Sequence, residues 1–486
     1  MNIYLLYTGG TIGCVGTPLS PMQGPQFKVA FQSNVESIIT TQIPGSSITY
    51  DWFPTTLDST NMQPSDWVTI AQKIVTNYAT CDAFLILHGT DTMAFTSSAL
   101  SFLLPGLSKP VFVTGSQLPL FYQDGADYAL LYNTDALRNV LGAIEFMTFG
   151  VPEVGLYFDD NLYRGNRVVK SNASQFAAFS SPNFPSLGLY GVLPKLDDAL
   201  IRPQPSAAVA LDNNISAVQQ QLSSIASNIN SQSVIQFLFF PAYYDATSGA
   251  SLAVSMITQL LTITPSLKGI VFESFGEGNI PDFQQMQTLL GNLNTQGIIM
   301  VDCAQVYAGD VNYNAYATGA WLKGAGVLSG CDMTAIAALT KLIVLMAANP
   351  SAPLATIQTL VGTDLAGELN FYYGLSGYQN DFLSPGESLY SINGNYQFIN
   401  DDAGNLTLTN VSATPPQLLW QQKCGTPGRL IMQADCNLVF YSKDSQPLWA
   451  SGTQQIGTNA TFTVGNTGSL TINDLYTGQV ISVIYG

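Results

Sequence analysis

The chain has 486 residues, of which 47% are hydrophobic and 10% charged, so it carries apolar material for about three globular domains and is not a disordered polymer. Its formal net charge of −17 argues against nucleic acid and anionic lipid surfaces as partners, because both are bound through clustered Lys and Arg. No apolar run approaches the roughly 20 residues that cross a bilayer, so membrane insertion is not expected.

Ile3 to Tyr7 reads as a first β-strand running straight into Thr8-Gly9-Gly10-Thr11-Ile12-Gly13. This start has no basic region, long apolar core or cleavage site, and on that ground a cytoplasmic location is expected. A glycine pair after a buried strand allows a sharp turn and presents the next hydroxyl, Thr11, at the carboxyl edge of a sheet. Pro64 to Tyr78 has helical spacing, and Ala83 to Leu87 is a second apolar strand. His88-Gly89-Thr90-Asp91-Thr92 then places another hydroxyl and a carboxylate at a strand end. Taken singly, these are ordinary glycine turns and helix caps. Two such strand-end sites in one lobe point to convergence on a pocket. With the helical spacing of Thr92 to Leu104 and the strand Val111 to Thr114, the rhythm predicts an α/β domain over 1–191, its parallel sheet covered by helices on both faces.

Pro, Ser, Asn and Gln dominate 192–232, which reads as a linker with one helix around Ser216 to Ser227. A second α/β domain follows over 233–383, with strands near Val234 to Phe240, Gly269 to Phe275 and Gly297 to Val301 and a helix across Thr334 to Ala348. Over 384–486 short alternating strands separated by Asn and Gly turns repeat loosely three times, Asn395 to Trp420, Gly428 to Trp449 and Ala460 to Val483. Threefold repetition predicts a small all-β prism or trefoil. Cys14, Cys81, Cys303 and Cys331 read as isolated buried thiols, whereas Cys424 and Cys436 lie close enough in sequence to bridge neighbouring strands.

His88 is the only histidine, so a His-rich metal site is excluded, and no phosphate-loop motif is present; no cofactor is expected. A Ser-His-Asp relay would have to use that one ring. The remaining hydrolytic kit is a Thr nucleophile activated by Lys.

Thr8 to Gly13 and His88 to Met93 resemble the two signatures of bacterial-type L-asparaginases, especially the cytoplasmic type I group. Asp58-Ser59-Thr60-Asn61-Met62, Thr114-Gly115-Ser116-Gln117-Leu118-Pro119, Arg164-Gly165-Asn166-Arg167 with Lys170, Gly276-Glu277-Gly278-Asn279 and Tyr316-Ala317-Thr318-Gly319 follow in family order. The resemblance implies a two-lobed amidohydrolase that converts asparagine to aspartate and ammonia. Thr11 would be the nucleophile, with Thr90, Asp91 and Lys170 as the second catalytic group. Ser59, Thr60, Asp91 and Ser116 would bind substrate, and a homodimer or tetramer is implied. One departure stands out: the family's tyrosine on the loop after the nucleophile is absent, since Cys14 to Asn34 contains none. Tyr307 and Tyr316 of the second lobe are the candidate replacements.

Gln433, Asp435, Asn437, Val439 and Tyr441 recur at every second position, which on one strand puts the polar groups on one face. Alternation of this kind also suits a half-buried strand with solvated side chains. The run is similar to the signature of bulb-type, mannose-binding monocot lectins, and the resemblance implies a β-prism and one working site for mannose-type glycans. The other two repeats lack the full set. A glycan ligand would fit an extracellular or cell-surface location reached by unconventional export. Two functions therefore compete: an asparaginase tethered to glycans, or a self-assembling structural lectin on an inactive asparaginase core, which the missing tyrosine would favour.

Overall fold

Strands buried on both faces divide the first lobe's interior into two cores. Along the first strand Tyr4 and Leu6 enter one apolar cluster while Ile3, Leu5 and Tyr7 enter the other; Ala83 to Leu87 splits in the same alternating way. The computed structural model describes residues 1–486 except 198–199, 203, 312, 314–316, 370–373, 378–381, 387, 392–394, 455–459 and 475–479.

Counting only strands of the large sheets, β1 (Asn2–Gly9), β2 (Ser47–Leu57), β3 (Ala83–Leu87), β4 (Val111–Thr114), β5 (Val154–Phe158), β6 (Asn161–Arg164), β7 (Gly188–Tyr190) and β8 (Pro194–Leu196) form one sheet in the order β8-β7-β6-β5-β4-β3-β1-β2. The five strands β5, β4, β3, β1 and β2 run parallel, and β6 to β8 add antiparallel to one edge. Helices Pro64–Asn77 and Met93–Leu103 cover one face, and Gly24–Phe31 and Ala136–Met147 the other.

The stretch expected to be a linker is largely packed. Its helix, Leu211–Asn228, is longer than predicted and buries Leu211, Val218, Leu222 and Ile225 in the first core. The second lobe carries β9 (Ser233–Leu238), β10 (Leu267–Ser274), β11 (Ile299–Ala304) and β12 (Val327–Ser329), all parallel and in sequential order. Helix Ala335–Ala348 is apolar almost all round because it is buried on several sides. Its Ile343, Val344 and Ala347 join the first-lobe core, and Thr340 meets Ser98 at 2.7 Å.

Residues 1–361 with 366–368 form one compact unit, and 362–365 with 369–486 a second. In the second, three four-stranded antiparallel sheets share one apolar core. Each contains a hairpin whose turn has a residue at positive φ in the equivalent place: Gly404 (79°), Cys436 (70°) and Gly468 (83°). The domain boundary expected at 384 falls inside this unit, because strands Gly374–Ser376 and Phe382–Leu383 pair with Ala460–Val464 and Gly428–Met432. All six cysteines, Cys424 and Cys436 included, are thiols, so the bridge considered from their spacing is not made.

Candidate active site

The strand order of the first lobe reverses at β1: the chain adds β2 on one side of it and then β3, β4 and β5 on the other. Such a switch point opens a crevice at the carboxyl ends of the strands, where loops diverge. Here the loops after β1, β2, β3 and β4 meet closely. A Cβ on Gly10, whose φ is +80°, would stand 2.4 Å from the Cα of Gly89, and one on Gly89 would stand 2.6 Å from the Oγ of Ser59. A Cβ on Gly115 would stand 2.2 Å from the carbonyl oxygen of His88. Only glycine permits these approaches. They bring Thr11 and Thr90, each next to a contacting glycine, together with the buried Ser59.

Backbone bonds lock the turn that carries Thr11. Gly10 N donates to Leu57 O at 2.9 Å, Leu120 N to Ile12 O at 2.9 Å, and Met22 N to Gly13 O at 2.8 Å. Lys170, on a short strand paired with Phe179–Ser180, reaches in so that its Nζ donates to Thr90 Oγ1 at 2.9 Å and to Asp91 Oδ1 at 2.6 Å. The lysine side chain is 21% exposed and the aspartate 54%, so the amine is sheltered while the carboxylate opens to solvent. Lys170, Thr90 and Asp91 are thus bonded together, on loops adjoining those that carry Thr11 and Ser59.

Thr60 and Ser116 sit in the right loops, but their hydroxyls are engaged locally. Thr60 Oγ1 donates to Asp58 Oδ1 at 2.9 Å, and Ser116 Oγ donates to the carbonyl of Leu118. Three supports escaped the sequence reading. Asp58 closes an Asx turn by also accepting from Thr60 N, Thr92 Oγ1 donates to Ser59 O at 2.7 Å, and Asp135 accepts from the backbone N–H groups of Gln117 and Leu118. Only the Asp58-x-Thr60 spacing was visible beforehand; Asp135 is distant in sequence.

His88 takes no part in a relay. It is fully buried, its Nδ1–H donates to Gly89 O at 2.7 Å, and its Nε2 accepts from Thr96 at 2.9 Å; burial pushes its pKa down to about 4. Arg164 and Arg167 are structural as well, pairing with Glu153 at 2.6 Å and Asp332 at 2.7 Å. The exposed Tyr307 bonds through its hydroxyl to Ser180, while Tyr316 lies outside the described residues. No group of three His, Cys, Asp or Glu among the described residues is arranged to hold a metal.

Residues 2–198 match the family model of the asparaginase N-terminal domain, and residues 250–360 that of the glutaminase/asparaginase C-terminal domain. L-asparaginase 1 of Escherichia coli strain K12 is 34% identical over 385 residues, which are 76% of this chain and 98% of that protein. The chain belongs to the L-asparaginase family. The two-lobed asparaginase fold agrees with the crystal structure of L-asparaginase I from Vibrio cholerae, at a TM-score of 0.62 and 32% identity over 76% of this chain and 99% of that one. A mouse protein named 60 kDa lysophospholipase is 36% identical over 64% of this chain and 49% of its own length.

The matched family segments end at residue 360, before the all-β unit. There the run read as one alternating strand is a hairpin. Gln433 to Asn437 make the turn between Gly428–Met432 and Leu438–Ser442, because Cys436 adopts the left-handed conformation. The turn still brings two of the polar groups together, Gln433 Nε2 donating to Tyr441 Oη at 3.0 Å. Asp435 accepts from Asn437 N at 3.0 Å, Asn437 Oδ1 accepts from Ser451 Oγ at 3.2 Å, and Val439 is buried.

Proposed function

We propose that this chain hydrolyses the side-chain amide of L-asparagine to L-aspartate and ammonia, with Thr11 as the nucleophile. The observation that carries the reading is the convergence of Thr11, Ser59, Thr90 and Asp91 at the switch point, with Lys170 bonded to both Thr90 and Asp91. Thr11 Oγ1 attacks the amide carbon as its proton passes to Thr90, whose own proton passes to Lys170, which must first give up a proton and act as its neutral amine. Backbone N–H groups at the strand ends stabilise the tetrahedral oxyanion. Lys170 returns that proton through Thr90 to the departing nitrogen, so collapse breaks the C–N bond, expels ammonia and leaves an acyl-threonine; water then attacks the ester, its proton passing along the same relay, and cleavage of the ester bond releases aspartate as the proton returns to Thr11 Oγ1. Asp91, the more exposed carboxylate, pairs with the substrate's α-ammonium group, and Ser59 binds its α-carboxylate. The test is ammonia release from asparagine by the wild type and by Thr11→Ala. Turnover that depends on Thr11 supports the mechanism; the same rate in both proteins, or none in either, removes it.

The missing loop tyrosine is the one feature that favours a non-catalytic, self-assembling scaffold. Tyr307→Phe and Tyr316→Phe address it, because a collapse of kcat in either variant assigns the activating phenol to that residue. For the all-β unit we propose one mannose-type glycan site built from Gln433, Asp435, Asn437, Val439 and Tyr441. The bond between Gln433 and Tyr441 and the threefold hairpin pattern support this reading. Mannose binding that is indifferent to Asn437→Ala counts against it. A homo-oligomer, dimer or tetramer, is part of the same proposal.

A further inference from the structure

Lys170 reaches Thr90 and Asp91 from a segment that neither large sheet holds. Val169–Lys170 pairs with Phe179–Ser180, Val169 facing Ser180 and Lys170 facing Phe179, and among the described residues these two strands pair only with each other. On the first lobe's side, Val168, Ala178 and Phe179 seat the hairpin in the first core. The Tyr163 hydroxyl donates to Phe179 O at 3.2 Å, and Gln117 Nε2 holds the connecting loop at Gln175 O, 3.0 Å away.

The second lobe, part of the same compact unit, grips this segment on both sides of the lysine. Ahead of Lys170, the buried Arg167 donates through Nη1 to Asp332 Oδ2 at 2.7 Å. Behind it, on the returning strand, Ser180 Oγ accepts from the Tyr307 hydroxyl. Asn183 Oδ1 then accepts from Gly309 N at 2.8 Å, while its Nδ2 donates to Gly309 O at 2.9 Å and to Asp332 O at 2.8 Å. Asp332 thus ties the two ends together, its carboxylate on Arg167 and its carbonyl on Asn183. The gripping residues stand on the loops that follow β11 and β12.

A lysine amine sits on a flexible four-carbon stem, so where its backbone is held decides what it can reach. Lys170 Nζ stands 2.9 Å from Thr90 Oγ1, within the range for direct proton transfer, and a misplacement of about 1 Å costs a reacting group on the order of a hundredfold in rate. We infer, on the reading that Lys170 takes the proton from Thr90, that the second lobe positions this lysine through Tyr307 on Ser180 and through Gly309 and Asp332 on Asn183. These are positioning residues. Tyr307 then acts through the lysine's hairpin rather than on Thr11.

The test is steady-state ammonia release from asparagine by the full chain, with melting temperature as the check on folding. Ser180→Ala and Tyr307→Phe are each expected to lower kcat about tenfold with KM within about twofold, and together to lower it no further, because both remove the same bond. Ser180→Thr keeps the acceptor and should hold kcat near the wild-type value. In a Lys170→Met background neither change should lower the residual rate, whereas a residue that merely stabilised the lobe would lower it there as well. Asn183→Ala removes the second grip and should behave in the same way, an independent reading should either of the other variants misfold. Losses that do not add and that vanish without Lys170 support the inference. An active wild type whose kcat ignores both Ser180→Ala and Asn183→Ala overturns it; if Tyr307→Phe alone then collapses kcat, the phenol acts on Thr11 instead. A wild type without Thr11-dependent turnover overturns the proposed hydrolysis and this inference together.

Discussion

Both lobes end parallel strands in polar loops, yet among the described residues only the first gathers side chains of the types a hydrolytic site needs. In the first, the order of strands reverses at β1, and the loops after β1 and β3 come into contact at Gly10 and Gly89, with the loops after β2 and β4 closing on them through Ser59 and Gly115. In the second, β9 to β12 follow one another in sequence order, every crossover runs the same way, and no switch point opens. The buried titratable groups differ accordingly. His88 has both ring nitrogens bonded. Asp302 of β11 is fully buried, has one oxygen with no partner and another 3.3 Å from the Tyr313 hydroxyl, and burial pushes its pKa up to about 7. Placement of a site depends on the order of strands, not merely on having a parallel sheet with polar loops.

Four measurements bear on this contrast. The largest effect is expected from Lys170→Met, which removes the proposed proton acceptor behind Thr90 and should lower kcat by about 10³-fold with little change in melting temperature. A drop of only a few-fold would place the reactive centre elsewhere. Next, Gly10→Ala forces a Cβ into the Gly89 backbone at positive φ and should cost about 3 kcal/mol in urea unfolding as well as activity. Unchanged stability would show that the loops do not meet as closely as the contact requires.

The third measurement sets the lobes against each other in pH. The folded pKa of His88 lies below its ordinary 6.5, so the stability it confers is present above 6.5 and is lost as pH falls towards about 4. The folded pKa of Asp302 lies above its ordinary 3.8, so its contribution is present below 3.8 and is lost as pH rises towards about 7. Between these limits, hydrogen-exchange protection corrected for intrinsic rates should rise with pH around His88 and fall around Asp302, and Asp302→Asn should abolish the fall. Parallel slopes in the two lobes would contradict the contrast. Last and smallest, Ser116→Ala removes a hydroxyl already bonded to Leu118 and should alter KM by a few-fold at most, about 1 kcal/mol. A loss near that of Lys170→Met would mean that Ser116 turns to the substrate on binding.

Much of the core was legible from sequence because its signals are local. Apolar runs of strand length, the glycine pair at 9–10 and Thr90-Asp91 after an apolar strand each report the geometry of a few adjacent residues. The family motifs singled out Lys170, Thr90 and Asp91, which the structure joins by hydrogen bonds across some eighty residues of chain. What was misread depends on residues distant in sequence or on one backbone angle. The polar composition of 192–232 suggested a linker, whereas four buried side chains at helical spacing, Leu211, Val218, Leu222 and Ile225, hold its helix in the core. The alternation from Gln433 to Tyr441 suggested a strand, whereas Cys436 at φ 70° turns the chain, as glycines do in the two sister hairpins.

The sequence by itself determined the family, the two kinds of architecture and the chemical types available for a site, because patterning and motif order are properties of the chain. Only the tertiary structure decided that Gly10, Gly89 and Ser59 touch, that His88 is sealed away with both nitrogens satisfied, and that the hydroxyls of Thr60 and Ser116 are engaged by their own loops. Those outcomes depend on strand order and on contacts between loops far apart in the chain, where packing selects which side chains face a pocket and which hold it together.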